Sequence, residues 1–131
     1  MSAILLDTTV LIDLLRGRAG ALTRLAAVRR AGDQPYACAI NVDEVVRGLR
    51  ATEVERARSL FAGLRVAVLG ESEGWRAGTW RRDFALAGAT LPQADCLVAA
   101  AAASIGGRIA TGNPKHFPMP GLLVEHWAAG E

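Results

Sequence analysis

The chain is 131 residues long and 51% hydrophobic, with 15 basic against 13 acidic residues and a net charge of +2. That length suits one domain spanning 1-131, large enough to bury a core without covalent staples. The small charge balance permits a polyanionic partner without demanding one. The longest apolar run, Cys96 to Ala103, is too short to cross a bilayer, which takes about 20 residues. No basic stretch precedes an apolar leader at the amino terminus, so no membrane span and a cytoplasmic location are expected. Cys38 and Cys96 stand alone, outside any metal-ligand spacing, and are expected buried and reduced. Fourteen of the bases are arginine and one, Lys115, is lysine, which a GC-rich coding bias explains as readily as phosphate recognition does.

In chain order, Ala3 to Leu6 is apolar at every position and ends at a polar turn, the pattern of a strand buried on both faces. Thr8 or Thr9 can cap a helix carrying Val10, Leu11, Leu14 and Leu15, and the glycines of Arg16 to Gly20 break it. A further helix runs from about Ala21 to Arg30. Tyr36 to Ile40 reads as the second strand, with Asn41 as cap for the helix that follows. There Val42, Val45, Val46 and Leu49 recur at the spacing of one buried face. Residues 52 to 62 and 72 to 88 look helical, separated by a short strand at Arg65 to Leu69. Pro92, in a first helical turn where its missing N–H costs nothing, opens a helix that Gly106 and Gly107 close. Residues 108 to 111 and 122 to 125 are the last two strands. Strands alternating with helices predict an α/β fold, a central parallel sheet of about five strands flanked by helices on both faces.

On this frame several polar residues fall at strand ends. Asp7 follows the first strand, Glu44 lies one helical turn beyond the second, Asp95 is in the first turn of the Pro92 helix, and Asn113 is just past the fourth strand. Ligands of open parallel sheets bind beyond the carboxyl ends of the strands, so these four groups can meet at one edge. Two carboxylates about 5 Å apart repel by roughly 3 kcal/mol at an effective dielectric near 20, and a bound cation removes that penalty. Oxygen ligands alone point to Mg²⁺ or Mn²⁺, and the chemistry implied is metal-assisted phosphodiester hydrolysis.

The stretches LLDTTVLIDLLRG, INVDEVVRGL, LPQADCLVAAAA and IATGNPKHF, in this order over nearly the whole chain, resemble the motifs of PIN-domain ribonucleases, most closely the VapC toxins of VapBC toxin–antitoxin modules. The resemblance implies a PIN-like fold and a Mg²⁺-dependent endoribonuclease with an RNA substrate, homodimerisation, and inhibition by a cognate VapB antitoxin. Carried over by position, Asp7 and Asp95 would be the main metal ligands and Glu44 would complete the acidic cluster. Thr9 and Thr111 match small polar residues near the metal and its water. Asn113 stands where many members carry a fourth aspartate; it can orient a water but adds no charge.

Each residue also has a plainer role. Asp7 could be a helix N-cap, Glu44 the distal member of a capping box with Asn41, and Asp95 a complement to the helix macrodipole. Asp13 and Asp43 read as surface residues, and His116 and His126 lack the companions of a zinc site. Trp75 and Trp80, with Arg76, Arg81 and Arg82 nearby, could stack on RNA or serve helix packing or a dimer. A haloacid-dehalogenase-type phosphatase would want an acid two residues after the first, where this chain has Thr9. A non-toxin RNA-processing nuclease and a catalytically weak RNA- or partner-binding domain are the remaining alternatives.

Overall fold

A computed structural model describes residues 2–131. Five strands, β1 (Ala3–Leu6), β2 (Gln34–Cys38), β3 (Arg65–Ala67), β4 (Arg108–Thr111) and β5 (Leu123–His126), form one sheet in the order β3-β2-β1-β4-β5. Every pairing is parallel, with Leu5 of β1 beside Tyr36 on one side and Ile109 on the other. Six helices cover it: α1 (Thr8–Leu15), α2 (Ala19–Arg30), α3 (Ala39–Arg47), α4 (Val54–Ala62), α5 (Glu71–Leu86) and α6 (Gln93–Ser104). This is the α/β fold expected from the alternation of elements.

The sheet splits the core in two. Ile4 and Leu6 face one cluster, completed by Val10, Leu11, Leu14, Leu25, Val28 and Trp127. Leu5, one residue out of phase, faces the other, with Cys96, Val98, Ile109, Phe117 and Met119. Period-two alternation within an all-apolar strand supplies both faces at once. In α6, Ala99, Ala100, Ala101 and Ala102 are all buried. Side chains this small let the helix lie close over β1, β3 and β4. Both cysteines are free and buried. Among the described residues no helix is long and apolar enough to cross a membrane.

Three expectations are corrected. The second strand ends at Cys38, α3 starts at Ala39, and Asn41 is inside the helix at its third position. Its side-chain Oδ1 accepts the Cys38 N–H at 2.9 Å and the Cys38 thiol at 3.2 Å. The helix is thus capped from within, and Glu44 has no part in a capping box. Second, of the apolar stripe on α3 only Val45 is buried, while Val42 and Val46 are exposed. With Leu49, Val54 and Phe61 they line a groove between α3 and α4. Third, Asp13 is buried, and its Oδ2 accepts the Gly130 N–H at 2.9 Å. Smaller shifts follow the same physics. Pro92 lies outside α6 at the N-cap position, and β3 stops at Ala67.

The strand order reverses at β1, with β2 on one side and β4 on the other. In doubly wound sheets that reversal opens a crevice at the carboxyl edge. Asp7 leaves β1 there and Gly112 leaves β4. The amino ends of α1 and α3, which follow β1 and β2 directly, meet the same edge. So does the start of α6, because a crossover helix runs antiparallel to its strands.

Candidate active site

Asp7 occupies the N-cap position of α1, yet its side chain makes no capping bond to that helix. Its backbone is tied across the crevice instead, the N–H donating to Ala110 O at 2.9 Å. Its carboxylate Oδ2 accepts the Thr111 hydroxyl at 2.8 Å and, more loosely, the Thr9 hydroxyl at 3.5 Å. The Thr8 N–H at the start of α1 also favours the charged carboxylate, though no capping hydrogen bond forms to the helix. Burial pushes its carboxyl above the usual range; the Thr111 hydroxyl opposes this and the Glu44 charge adds to it.

Both threonines are wedges between Asp7 and the loop after β4. Thr111 Oγ1 accepts the Asn113 N–H at 3.0 Å and Thr9 Oγ1 accepts the Gly112 N–H at 2.8 Å. Each hydroxyl then has only its proton left to give, and gives it to Asp7. Gly112 is closely packed, since a Cβ there would lie 3.1 Å from Ala129 Cβ and 3.2 Å from Thr9 Oγ1 and would push them back by a few tenths of an ångström.

Glu44, half-buried on α3, is held from α1, where Thr8 Oγ1 donates to its Oε1 at 2.7 Å. Thr8 in turn accepts from Asn41 Nδ2 at 3.2 Å. The Asn41 amide is fully buried and its orientation is forced, because Oδ1 faces two donors on Cys38. The chain of bonds from Cys38 through Asn41 and Thr8 to Glu44 fixes one carboxylate oxygen. Thr8 and Asn41 as supports of Glu44 are not visible as such in the sequence, which shows two adjacent threonines and a cap-type residue.

Asp95, half-buried in the first turn of α6, also has its carboxyl raised. Burial is the largest cause, the His116 charge opposes it, and Asp7 and Glu44 push it further. The three acids are thus within electrostatic reach of one another. His116 Nδ1 lies 3.8 Å from Asp95 Oδ2, a rim position rather than a hydrogen bond. Asn113 is exposed and starts the 3-10 turn Pro114–His116. Asp43 and His126 are exposed, Asp43 as expected.

Among the described residues, no three His, Cys, Asp or Glu side chains close around a common point as a ready-made metal cage. The donor chemistry still suits a hard cation. All the candidate groups are oxygens, the Asp7 and Asp95 carboxyls are raised by burial and further by the Glu44 charge, and Mg²⁺ is commonly held by one or two carboxylates with waters filling the remaining positions.

Acids and hydroxyls gathered at the switch point of a parallel five-stranded sheet mark the place where an α/β domain of this class binds its ligand. The PIN domain model matches residues 4–118. The chain is 34% identical to ribonuclease VapC10 of Mycobacterium tuberculosis over 117 residues, 88% of this chain and 86% of that one. It is 28% identical to ribonuclease VapC19 of the same organism over 115 residues, 88% of this chain and 92% of the other. In fold it resembles the structure of VapBC2 from Rickettsia felis bound to a DNA fragment from their promoter. The TM-score there is 0.85 at 17% identity, over 95% of this chain and 98% of that one. The chain belongs to the PIN-domain family and, within it, to the VapC ribonucleases.

Proposed function

We propose that this protein is the ribonuclease toxin of a toxin–antitoxin module, acting in the cytoplasm as a homodimer. It cleaves RNA with Mg²⁺, or Mn²⁺ in its place, and is silenced by a VapB-type antitoxin. The observation that carries the reading is Asp7: a buried carboxylate at the sheet's switch point, gripped by Thr111 from the opposite strand and burdened by the charge of Glu44. Asp7 and Asp95 would hold the ion, with Glu44 completing the set. A bound divalent ion supplies charge neutralisation at phosphorus and a more acidic water.

The chain's own residues do the positioning. Thr111 and Thr9 aim Asp7, and the Asn41–Thr8 pair aims Glu44. His116 stands at the rim, its Nδ1 3.8 Å from Asp95 Oδ2. Attack by water on phosphorus, with the P–O3′ bond broken and the 3′ oxygen leaving with a proton, gives 5′-phosphate and 3′-hydroxyl ends.

The test is cleavage of a total RNA pool. Activity with Mg²⁺ that EDTA removes supports the reading, and cyclic 2′,3′-phosphate products or EDTA-resistant cleavage would overturn it. The uncharged Asn113 and the open ligand set favour one second reading, a catalytically weak RNA- or partner-binding domain, for which binding without cleavage is the expected result.

A further inference from the structure

Residues 127–131 leave β5 and cross α1 as a strap. Their first contact extends the ladder with β4, the Trp127 N–H donating to Thr111 O at 2.9 Å, and the Trp127 ring is buried in the cluster that holds Val10 and Leu14. Ala129 then reaches Gly112: its Cβ lies 3.1 Å from where a Cβ of that glycine would stand, and Thr9 Oγ1 lies 3.2 Å from the same point. The strap, the loop after β4 and α1 therefore meet at Gly112. Beyond it the Gly130 N–H donates to Asp13 Oδ2 at 2.9 Å, and Glu131 O accepts the Gly20 N–H at 2.9 Å. Thr9 and Asp13 stand four residues apart on α1, on one face, and each takes the N–H of a glycine from outside the helix. A carboxylate is costly to bury, and Asp13 lies inside α1, where it caps nothing. Its charge strengthens a single bond, and that bond secures the strap.

From this line of contacts we infer that Asp13 is a positioning residue of the active site: it anchors the strap that keeps Gly112 seated on Thr9, and so holds the wall that aims Asp7. The path runs from Asp13 through Gly130 and Ala129 to Gly112, whose N–H bonds Thr9 Oγ1 at 2.8 Å, and from Thr9 to Asp7 Oδ2. The second threonine of the wall is reached by the same strap, through the bond from Trp127 to Thr111 O. Asp13 acts through this chain and not on substrate. The inference rests on the metal-dependent reading above and adds a support to its site.

Amide hydrogen exchange on the metal-free, full-length chain reads the strap directly. In Asp13→Ala the Gly112 N–H should exchange about tenfold faster through local opening, while the Cys38 N–H, held by Asn41 at the end of β2, keeps its wild-type rate. The same variant should need about tenfold more Mg²⁺ for a given rise in melting temperature, the scale of a lost outer support of a metal ligand. Its kcat should fall with KM for RNA unchanged, and Asp13→Asn, which keeps an oxygen for Gly130, should restore all of these. Gly130 has φ +80° and nothing within 4 Å of where a Cβ would be, so Gly130→Ala strains the strap at the other end of the same bond without a clash. It should move the same readouts in the same direction, and added to Asp13→Ala it should change little more. A lower melting temperature alone, with Gly112 exchange, Mg²⁺ requirement and kcat at wild-type values, would make Asp13 a purely structural anchor and overturn the assignment; Gly130→Ala decides the matter in the same way if Asp13→Ala does not fold. A wild type whose melting temperature Mg²⁺ fails to raise would overturn the metal-dependent reading, whereas faster Gly112 exchange in metal-free Asp13→Ala would still uphold the strap as the support of Thr9.

Discussion

Two acidic clusters sit at opposite ends of the sheet, and they answer the same electrostatic problem differently. At the amino ends of the strands, Arg108 opens β4 and bonds Asp33 at 3.0 Å, Glu125 of β5, and the Ser2 hydroxyl at 3.0 Å. There the acids are neutralised by the protein itself, and Asp33 is held below the usual carboxyl range, first by the Ser2 N–H and then by Arg108. At the carboxyl ends, Asp7 and Asp95 are pushed upward by burial, and Glu44 adds to both shifts. His116, its ring 57% exposed, is the nearby base. A cluster closed by its own arginine holds strands together. One left short of positive charge has room for a cation from outside.

The largest expected effect breaks the second cluster. Asp7→Asn keeps an oxygen for the Thr111 hydroxyl but removes the charge a metal needs, and should lower RNA cleavage by about a hundredfold or more. Asp95→Asn should do the same. The pH dependence of stability sharpens the contrast. Because the folded carboxyls of Asp7 and Asp95 lie above the ordinary aspartate value of 3.8, their contribution is fully present below that pH and is lost as pH rises through their raised values. Without metal, Asp7→Asn should therefore melt above wild type at pH 7, and Mg²⁺ should narrow the gap by binding wild type more tightly. A variant that melts lower in both conditions would make Asp7 a structural acid. Asp33 has the opposite sign, its contribution present above 3.8 and lost as pH falls through its lowered value.

Next in size is the support of Glu44. Asn41→Ala leaves the Cys38 N–H without its buried acceptor and should cost about 1–3 kcal/mol, read as a lower melting temperature, and activity should fall as Thr8 loses its orientation. Glu44→Gln should melt near wild type, since Thr8 can still donate to the amide oxygen, yet lose most cleavage. Equal activity for Glu44→Gln and wild type would leave Glu44 a partner of Thr8 only. At the other end, Arg108→Met should lower the melting temperature by a few degrees with kcat unchanged; a drop in kcat would mean that the two ends communicate. Smallest is Asn113→Asp, which adds a fourth charge at the exposed rim. Its melting temperature should gain more from millimolar Mg²⁺ than wild type's does, and an identical shift would leave residue 113 outside the site.

The fold was legible because each strand is a short stretch built around apolar residues and each helix is closed by glycine or by a polar turn. Boundaries failed where a side chain acts from an unusual place. Asn41 caps α3 from inside, so its helix starts two residues before the cap-type residue. Asp13 reads as a surface acid because its partner, the Gly130 N–H, is 117 residues away, and no local pattern carries such a contact. Val42 and Val46 follow the spacing of a buried face but line an open groove, since periodicity reports which residues share a side and not what covers it. In the crevice, the positions of Asp7, Thr9, Thr111 and Asp95 follow from topology, because strand ends converge whatever the side chains are. The aiming of Glu44 by Thr8 does not, since it depends on how α1 and α3 cross.

The bond from Thr111 to Asp7 spans 104 residues, and that separation sets when the crevice can exist at all. A chain emerging from the ribosome in order, at about 5–20 residues per second, makes β1 and Asp7 first of these, but the wall that aims the carboxylate arrives with β4, 104 residues later. Until then one side of the central strand is bare and its acid faces no threonine. An enzyme that attacks RNA is assembled on RNA, and here the carboxylate made first is aimed only by the fourth of the five strands.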